Sequence, residues 1–167
     1  MRHQIYISVG SNVERDKYTR AGLQGLYQAF GALSLSSVYE SEAVGFSGSH
    51  FYNLVVGAQT EMSISQVCQQ LKKIEDRNGR LRGEKKFAPR TLDLDLLLYD
   101  DLVTNDQVIV PRGEIEYNAF VLLPLSEIAA DFTHPTAGKT IGSLWQAYDQ
   151  SQQKLWKIDF NWSPTES

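Results

Sequence analysis

Asp93 and Asp95 stand two residues apart inside "FAPRTLDLDLLLYD", Phe87 to Asp100, a stretch otherwise suited to a buried strand. Residues two apart share one face of a strand. Both carboxylates therefore point one way, while Leu92, Leu94 and Leu96 point the other. Their side chains leave the backbone about 7 Å apart, close enough for the tips to converge on one cation or a pair. Few, hard oxygen ligands suit Mg²⁺, which keeps several waters and takes further ligands from substrate phosphates. The leucine face also predicts a strand central in its sheet, where unpaired carboxylates would be costly. The competing reading is a polar strand face in water, with Arg90 in a surface ion pair.

The surrounding charge favours the metal reading. Lys72, Lys73, Arg77, Arg80, Arg82, Lys85, Lys86 and Arg90 are half of the 16 basic residues, and they run up to the two aspartates. A solvated helix end followed by a basic loop would account for them as a group. Beside two acids, however, they suggest a compact polyanion that arrives with a cation. Guanidinium groups fork onto phosphate oxygens. The combination fits phosphoryl-type transfer, in which catalysis is mostly positioning and charge neutralisation.

Composition removes other classes. A net charge of −4 argues against a general nucleic-acid binder. One cysteine, Cys68, excludes a disulfide framework and a multi-cysteine zinc site. The first residues, "MRHQIYISVGSN", lack the apolar run of a signal peptide, and no segment has the length of a membrane span. A cytoplasmic location and no membrane partner are expected. "AGKT", Ala137 to Thr140, resembles the end of a phosphate-binding loop, but the first glycine of that motif would fall on Thr133. His3, His50 and His134 have no metal-like spacing, and His134 reads as part of a turn.

The elements that must hold the aspartates follow from periodicity. "IYISVGS" reads as a first strand, with Ser11 or Asn12 capping the helix after it. Leu23, Leu26, Tyr27 and Phe30 recur at helical spacing, and Gly31 marks the stop. "LSLSSVYES" and "FYNLVVGAQT" read as a second and a third strand. Ser63 and Gln66 form a capping box for a helix with Ile64, Val67, Cys68, Leu71 and Ile74 on one face. The aspartate strand is the fourth. Strand, helix, strand, strand, helix, strand is the split βαβ order of an α+β, ferredoxin-like sandwich, an antiparallel sheet with helices packed on its faces. "YNAFVLLPLSEIAAD" and "TIGSLWQAYDQ" read as later helices, with Pro124 tolerated early in the first, and "LWKIDFNW" as a late strand. One domain over residues 1–167 accommodates all of these.

"GRLRGEKKFAPRTLDLDLLLYD" resembles the signature region of the 6-hydroxymethyl-7,8-dihydropterin pyrophosphokinases of the folate pathway. "YISVGSN", "YESEAVGFSGSHFYNLVV" and "VLLPLSEIAADFTHP" extend the resemblance nearly end to end. It implies transfer of the terminal diphosphate of ATP to the pterin hydroxymethyl group, leaving AMP, with two Mg²⁺ ions bridging ATP to Asp93 and Asp95. By the same resemblance Arg80 and Arg90 are catalytic, and Glu75, Arg82, Leu96 and Arg112 bind ATP. Phe51 and Phe120 sandwich the pterin ring. Asn53 reads its amide edge, and Gly10, Ser41 and Val44 complete the pocket.

The chain departs from the family mainly on the nucleotide side. Phe87 stands where the family has tryptophan, Ala88 where it has glycine, Arg112 where it has histidine and Asn118 where it has arginine. Gln107 replaces a basic residue. Two alternatives therefore stay open: a non-catalytic pterin-binding paralogue, and a nucleic-acid module on a ferredoxin-like sheet. The expected partners are the pterin and ATP, with no nucleic acid, and a monomer is expected.

Overall fold

The computed structural model describes residues 2–41, 50–79, 91–106, 108–151 and 154–164. In chain order they form β1 (His3–Ser11), α1 (Arg15–Phe30), β2 (Ser34–Leu35), β3 (Val38–Ser41), β4 (Phe51–Thr60), α2 (Ile64–Arg77) and β5 (Asp93–Tyr99). After these come α3 (Glu114–Tyr117), α4 (Ala119–Ala129), α5 (Ile141–Ala147) and β6 (Leu155–Ile158). The strands pair antiparallel in the order β5-β1-β4-β3-β6, and β2 also pairs with β4. The first four strands of that order give the ferredoxin-like arrangement that the element sequence predicts.

Leu23 and Leu26 of α1 and Val67, Leu71 and Ile74 of α2 bury against Ile5, Ile7, Val9, Leu54, Val56, Leu94 and Leu96 on one sheet face. Gly22 and Gly25 bring α1 close to its neighbours. A Cβ on Gly22 would lie 2.8 Å from Leu92, and one on Gly25 would lie 2.9 Å from Ile74. On the opposite face, Val121, Leu122 and Leu125 of α4 pack with Tyr6, Val55, Leu97 and Leu98.

Several local expectations change. β5 is an edge strand in the described sheet, not a central one. Its apolar character comes from helices packed above and below it. The pairing with β1 slips between Tyr6 and Ile7, so Leu97 is an extra residue. This bulge turns Leu97 and Leu98 together towards α4, while Leu96 and Tyr99 face α1 and α2. The second strand is broken into β2 and β3, because Ser36 pairs with Val55 twice: its N–H donates to the Val55 carbonyl at 3.0 Å, and its Oγ accepts the Val55 N–H at 2.9 Å. Neither Ser11 nor Asn12 caps α1. Ser11 extends β1 and donates to the Val13 carbonyl, and Glu14 is the cap residue at φ 43°. Pro124 lies mid-helix in α4.

The Ser63–Gln66 capping box forms as expected. Gly31 ends α1 at φ 81°, a conformation open to glycine at little cost. Asp100 closes β5 at φ 50° and accepts the Gln4 N–H at 2.7 Å, which ties the end of β5 to the start of β1. "AGKT" belongs to the turn before α5, where Thr140 caps the helix through the Ser143 N–H. His134 braces that turn: its Nδ1 accepts the N–H groups of Thr136 and Ala137 at 3.2 and 3.0 Å. Burial, opposed only by the charge of Glu116, holds His134 below its ordinary pKa.

Candidate active site

Strand register sets the site. Asp93 of β5 pairs with Gly10 of β1, Gly10 with Asn53 of β4, and Asn53 with Tyr39 of β3. These four residues form one row across the sheet, on the face that carries α4. The next row on one side pairs Phe51 with Ser41, and on the other side Asp95 pairs with Ser8. Two carboxylates therefore occupy one end of a shelf whose other end is polar and aromatic.

Asn53 is 5% exposed, and its Nδ2 donates to Ser41 Oγ at 2.8 Å. A buried amide in a strand needs such partners. Its Oδ1 would lie 3.3 Å from a Cβ on Gly10, and Phe51 would lie 3.9 Å from it. Glycine at position 10 thus keeps open a shallow recess bounded by Asn53 and Phe51. Phe120, in the first turn of α4, is partly buried against the second core. Tyr39, absent from the sequence-based set, belongs to the same row as Asn53. Its hydroxyl bonds Glu127 of α4, and burial, then the charge and hydrogen bond of Glu127, push its pKa up to about 12. The signal was present in "VYES", where Tyr39 and Ser41 share a strand face.

Asp93 and Asp95 share the α4-side face, as the two-residue period requires, and Asp95 is 41% exposed. Arg112 Nη2 lies 3.5 Å from Asp95 Oδ1, and Arg112 Nε donates to Glu114 at 2.8 Å. Glu114 also accepts from Asn118 Nδ2 at 2.9 Å. The Arg112 N–H donates to the Leu97 carbonyl at 3.0 Å, which fixes this chain segment against β5. Burial disfavours the Arg112 charge, but Asp95 and Glu114 outweigh it and raise its pKa above the ordinary arginine value. Arg112, Glu114 and Asn118 so link Asp95 to the start of α4, with Asn118 two residues before Phe120.

The donor set fits a hard divalent cation. Asp93 and Asp95 share one face, and Asp95 already has a cation beside it, the Arg112 guanidinium at 3.5 Å. Among the described residues no three histidine, cysteine or acidic side chains cluster as metal ligands. A cation at Asp93 and Asp95 would take its remaining ligands from water and substrate.

The other sequence-predicted residues fall elsewhere. Leu96 is 4% exposed in the core against α1 and α2, so its side chain faces away from the aspartates and only its main chain remains for a nucleotide. Glu75 is buried on α2, and its Oε2 accepts the Leu94 N–H at 2.8 Å. Val44, Arg80, Arg82 and Arg90 lie outside the described residues, as do Phe87, Ala88 and Gln107.

The sequence matches the 7,8-dihydro-6-hydroxymethylpterin-pyrophosphokinase (HPPK) family over residues 6–130. The chain belongs to the HPPK family. It is 32% identical over 163 residues to the 2-amino-4-hydroxy-6-hydroxymethyldihydropteridine pyrophosphokinase of Bacillus subtilis, covering 94% of this chain and 92% of that one. The HPPK enzyme of the same name from Aquifex aeolicus is 34% identical over 140 residues, covering 82% of this chain and 87% of the relative. The fold is similar to a crystal structure of Plasmodium falciparum HPPK-DHPS, with a TM-score of 0.73 at 13% identity. That match covers 90% of this chain and 43% of the longer one, so it speaks to the HPPK fold alone.

Proposed function

We propose that the chain carries out the reaction its family is named for, transferring diphosphate from ATP to 6-hydroxymethyl-7,8-dihydropterin and releasing AMP. The observation that carries the reading is the row Asp93–Gly10–Asn53, which joins a cation-binding pair to a recess for a flat, hydrogen-bonding ring. The Asn53 amide, held by Ser41, presents a donor and an acceptor edge. Phe51 and Phe120 supply aromatic surface for the two faces of the pterin. The family resemblance adds Val44 as a further candidate contact for the pterin.

Asp93 and Asp95 hold Mg²⁺, two ions in the working complex. Bound there, the metal neutralises phosphate charge and orients the phosphate chain. Arg80 and Arg90 stabilise the transferring group, and Arg82 and Arg112 bind ATP phosphates. Glu75 and the Leu96 main chain serve the nucleotide side through β5. The pterin hydroxymethyl oxygen attacks the β-phosphorus, the bond from that phosphorus to the α,β-bridging oxygen breaks, and AMP departs. No strong general base is required, because positioning and charge neutralisation supply most of the acceleration.

The chain works as one monomeric domain over residues 1–167, in the cytoplasm, without nucleic-acid or membrane partners. Two cores on opposite faces of a single sheet support the single domain. No helix among the described residues is long and apolar enough to cross a membrane.

Incubation with ATP, Mg²⁺ and the hydroxymethyl-dihydropterin is expected to yield AMP and the pterin diphosphate. ADP as the nucleotide product, or no turnover, overturns the assignment. Pterin binding without any nucleotide binding would instead identify a non-catalytic paralogue.

A further inference from the structure

We infer that the Arg112 guanidinium is a resident counter-ion of Asp95, displaced when a divalent cation binds and then turned to the nucleotide phosphates. This rests on the pyrophosphokinase reading and adds an order of charge exchange to it.

The geometry gives Arg112 one firm anchor and one loose pole. Nε donates to Glu114 at 2.8 Å, and Glu114 is itself held by Asn118. Nη2 is 3.5 Å from Asp95 Oδ1, an ion-pair distance with little hydrogen-bond character. The backbone bond to Leu97 keeps the Arg112 main chain in place whatever the side chain does. Arg112 and Asp95 side chains are 37% and 41% exposed, so water screens their pair and little is lost when it opens.

A positive group beside Asp95 works against a second cation there. The divalent ion must displace the Nη2 end or share the carboxylate with it. Once displaced, that end still pivots on Glu114 and faces the space where a polyphosphate would bring negative charge. Arg112 thus weakens the metal site while the nucleotide is absent and strengthens the site for the nucleotide. Metal and nucleotide then favour each other reciprocally.

Mn²⁺ serves as the probe, with free ion counted by electron paramagnetic resonance in the absence of nucleotide. Arg112→Gln is expected to tighten Mn²⁺ binding about twofold to fivefold, the scale of one exposed charge pair. The same variant is expected to weaken a non-hydrolysable ATP analogue, measured by calorimetry with saturating Mg²⁺. Opposite signs in one variant are not the result of general loosening. Arg112→Lys keeps the charge and is expected to stay near wild type in Mn²⁺ affinity. Unchanged or weaker Mn²⁺ binding in Arg112→Gln overturns the inference. Asp95→Asn separates the two levels: if it leaves Mn²⁺ binding intact, the metal assignment itself fails, and the inference fails with it.

Discussion

Glu75 Oε2 accepts the main-chain N–H of Leu94 at 2.8 Å, between the two aspartates of β5. β5 is an edge strand of the described sheet, and a carboxylate from α2 takes the place of a further strand at this N–H. An edge N–H satisfied from a helix both protects the edge and fixes the strand. Glu75→Ala is expected to cost about 1–3 kcal/mol of stability, the penalty for leaving a buried donor unpaired. Glu75→Gln keeps an acceptor and should recover most of it. Urea unfolding measures both. If glutamine is as damaging to stability as alanine, Glu75 does not act through that acceptor.

Gly10 is the point at which β1 leaves room above the sheet. A Cβ there would stand 3.3 Å from Asn53 Oδ1, on a side chain that Ser41 holds in place. Gly10→Ala is expected to cost about 1 kcal/mol of stability as mild overpacking. Its larger effect should be on the pterin, with KM raised about tenfold and kcat changed much less, a loss of about 1.4 kcal/mol of binding. Steady-state kinetics with pterin and ATP varied separately checks this. An increase confined to the KM for ATP would assign the recess to the wrong substrate.

Much of this frame is legible in residue periodicity. The two-residue spacing of Asp93 and Asp95 fixes their shared face, and the leucines between and beside them fix the buried one. Ser63, Gln66 and Gly31 announce helix ends because their side chains, or the lack of one, satisfy purely local geometry. What is not legible depends on contacts far apart in sequence. The leucine face of β5 reads as that of a central strand, yet the same face arises at an edge roofed by α2 and α4. The bulge at Leu97 is invisible until β1 is laid beside it. Ser36 breaks the second strand through a bond to Val55, and nothing local requires that. The Arg112–Asp95 pair needs the chain after β5 to fold back on that strand. Strand alternation turns the Leu96 side chain away from Asp95, which leaves its main chain for the nucleotide side.

Tyr39 and Glu127 make a prediction in alkaline solution. Burial is the larger cause of the raised Tyr39 value of about 12, and Glu127 adds to it through charge and a hydrogen bond. A raised folded value means that the stabilising contribution is complete below the ordinary tyrosine value of 10.0 and is lost as pH rises through about 12. Phenolate absorbance of wild type minus Tyr39→Phe should therefore show one tyrosine still protonated well above pH 10. Glu127→Gln should lower that titration only part of the way, since burial remains. A difference spectrum titrating at the ordinary value would remove the Tyr39–Glu127 bond from the site.

Glu40 predicts the opposite limb. Its Oε2 meets Arg15 Nη1 at 3.1 Å and His50 Nδ1 at 3.0 Å. Arg15 Nη1 also donates to the His50 carbonyl at 3.1 Å, and its guanidinium lies 4.3 Å over the Tyr52 ring. These contacts join the end of β3 to the start of β4, one residue from the Ser41–Phe51 pair. Burial alone would raise the Glu40 carboxyl, but the hydrogen bonds and charges of Arg15 and His50 outweigh it and hold it below the ordinary 4.5. A depressed folded value stabilises the protein above the ordinary value, and the gain disappears as pH falls through the folded one. Glu40→Gln should therefore melt about 2–4 °C below wild type at pH 7, as a pair worth up to about 1 kcal/mol implies. Under acid conditions, with the wild-type carboxyl protonated, the gap should close. Calorimetric melting at neutral and acid pH decides it, and a gap of equal size at both would show that the Arg15 and His50 contacts do not favour the charged carboxylate.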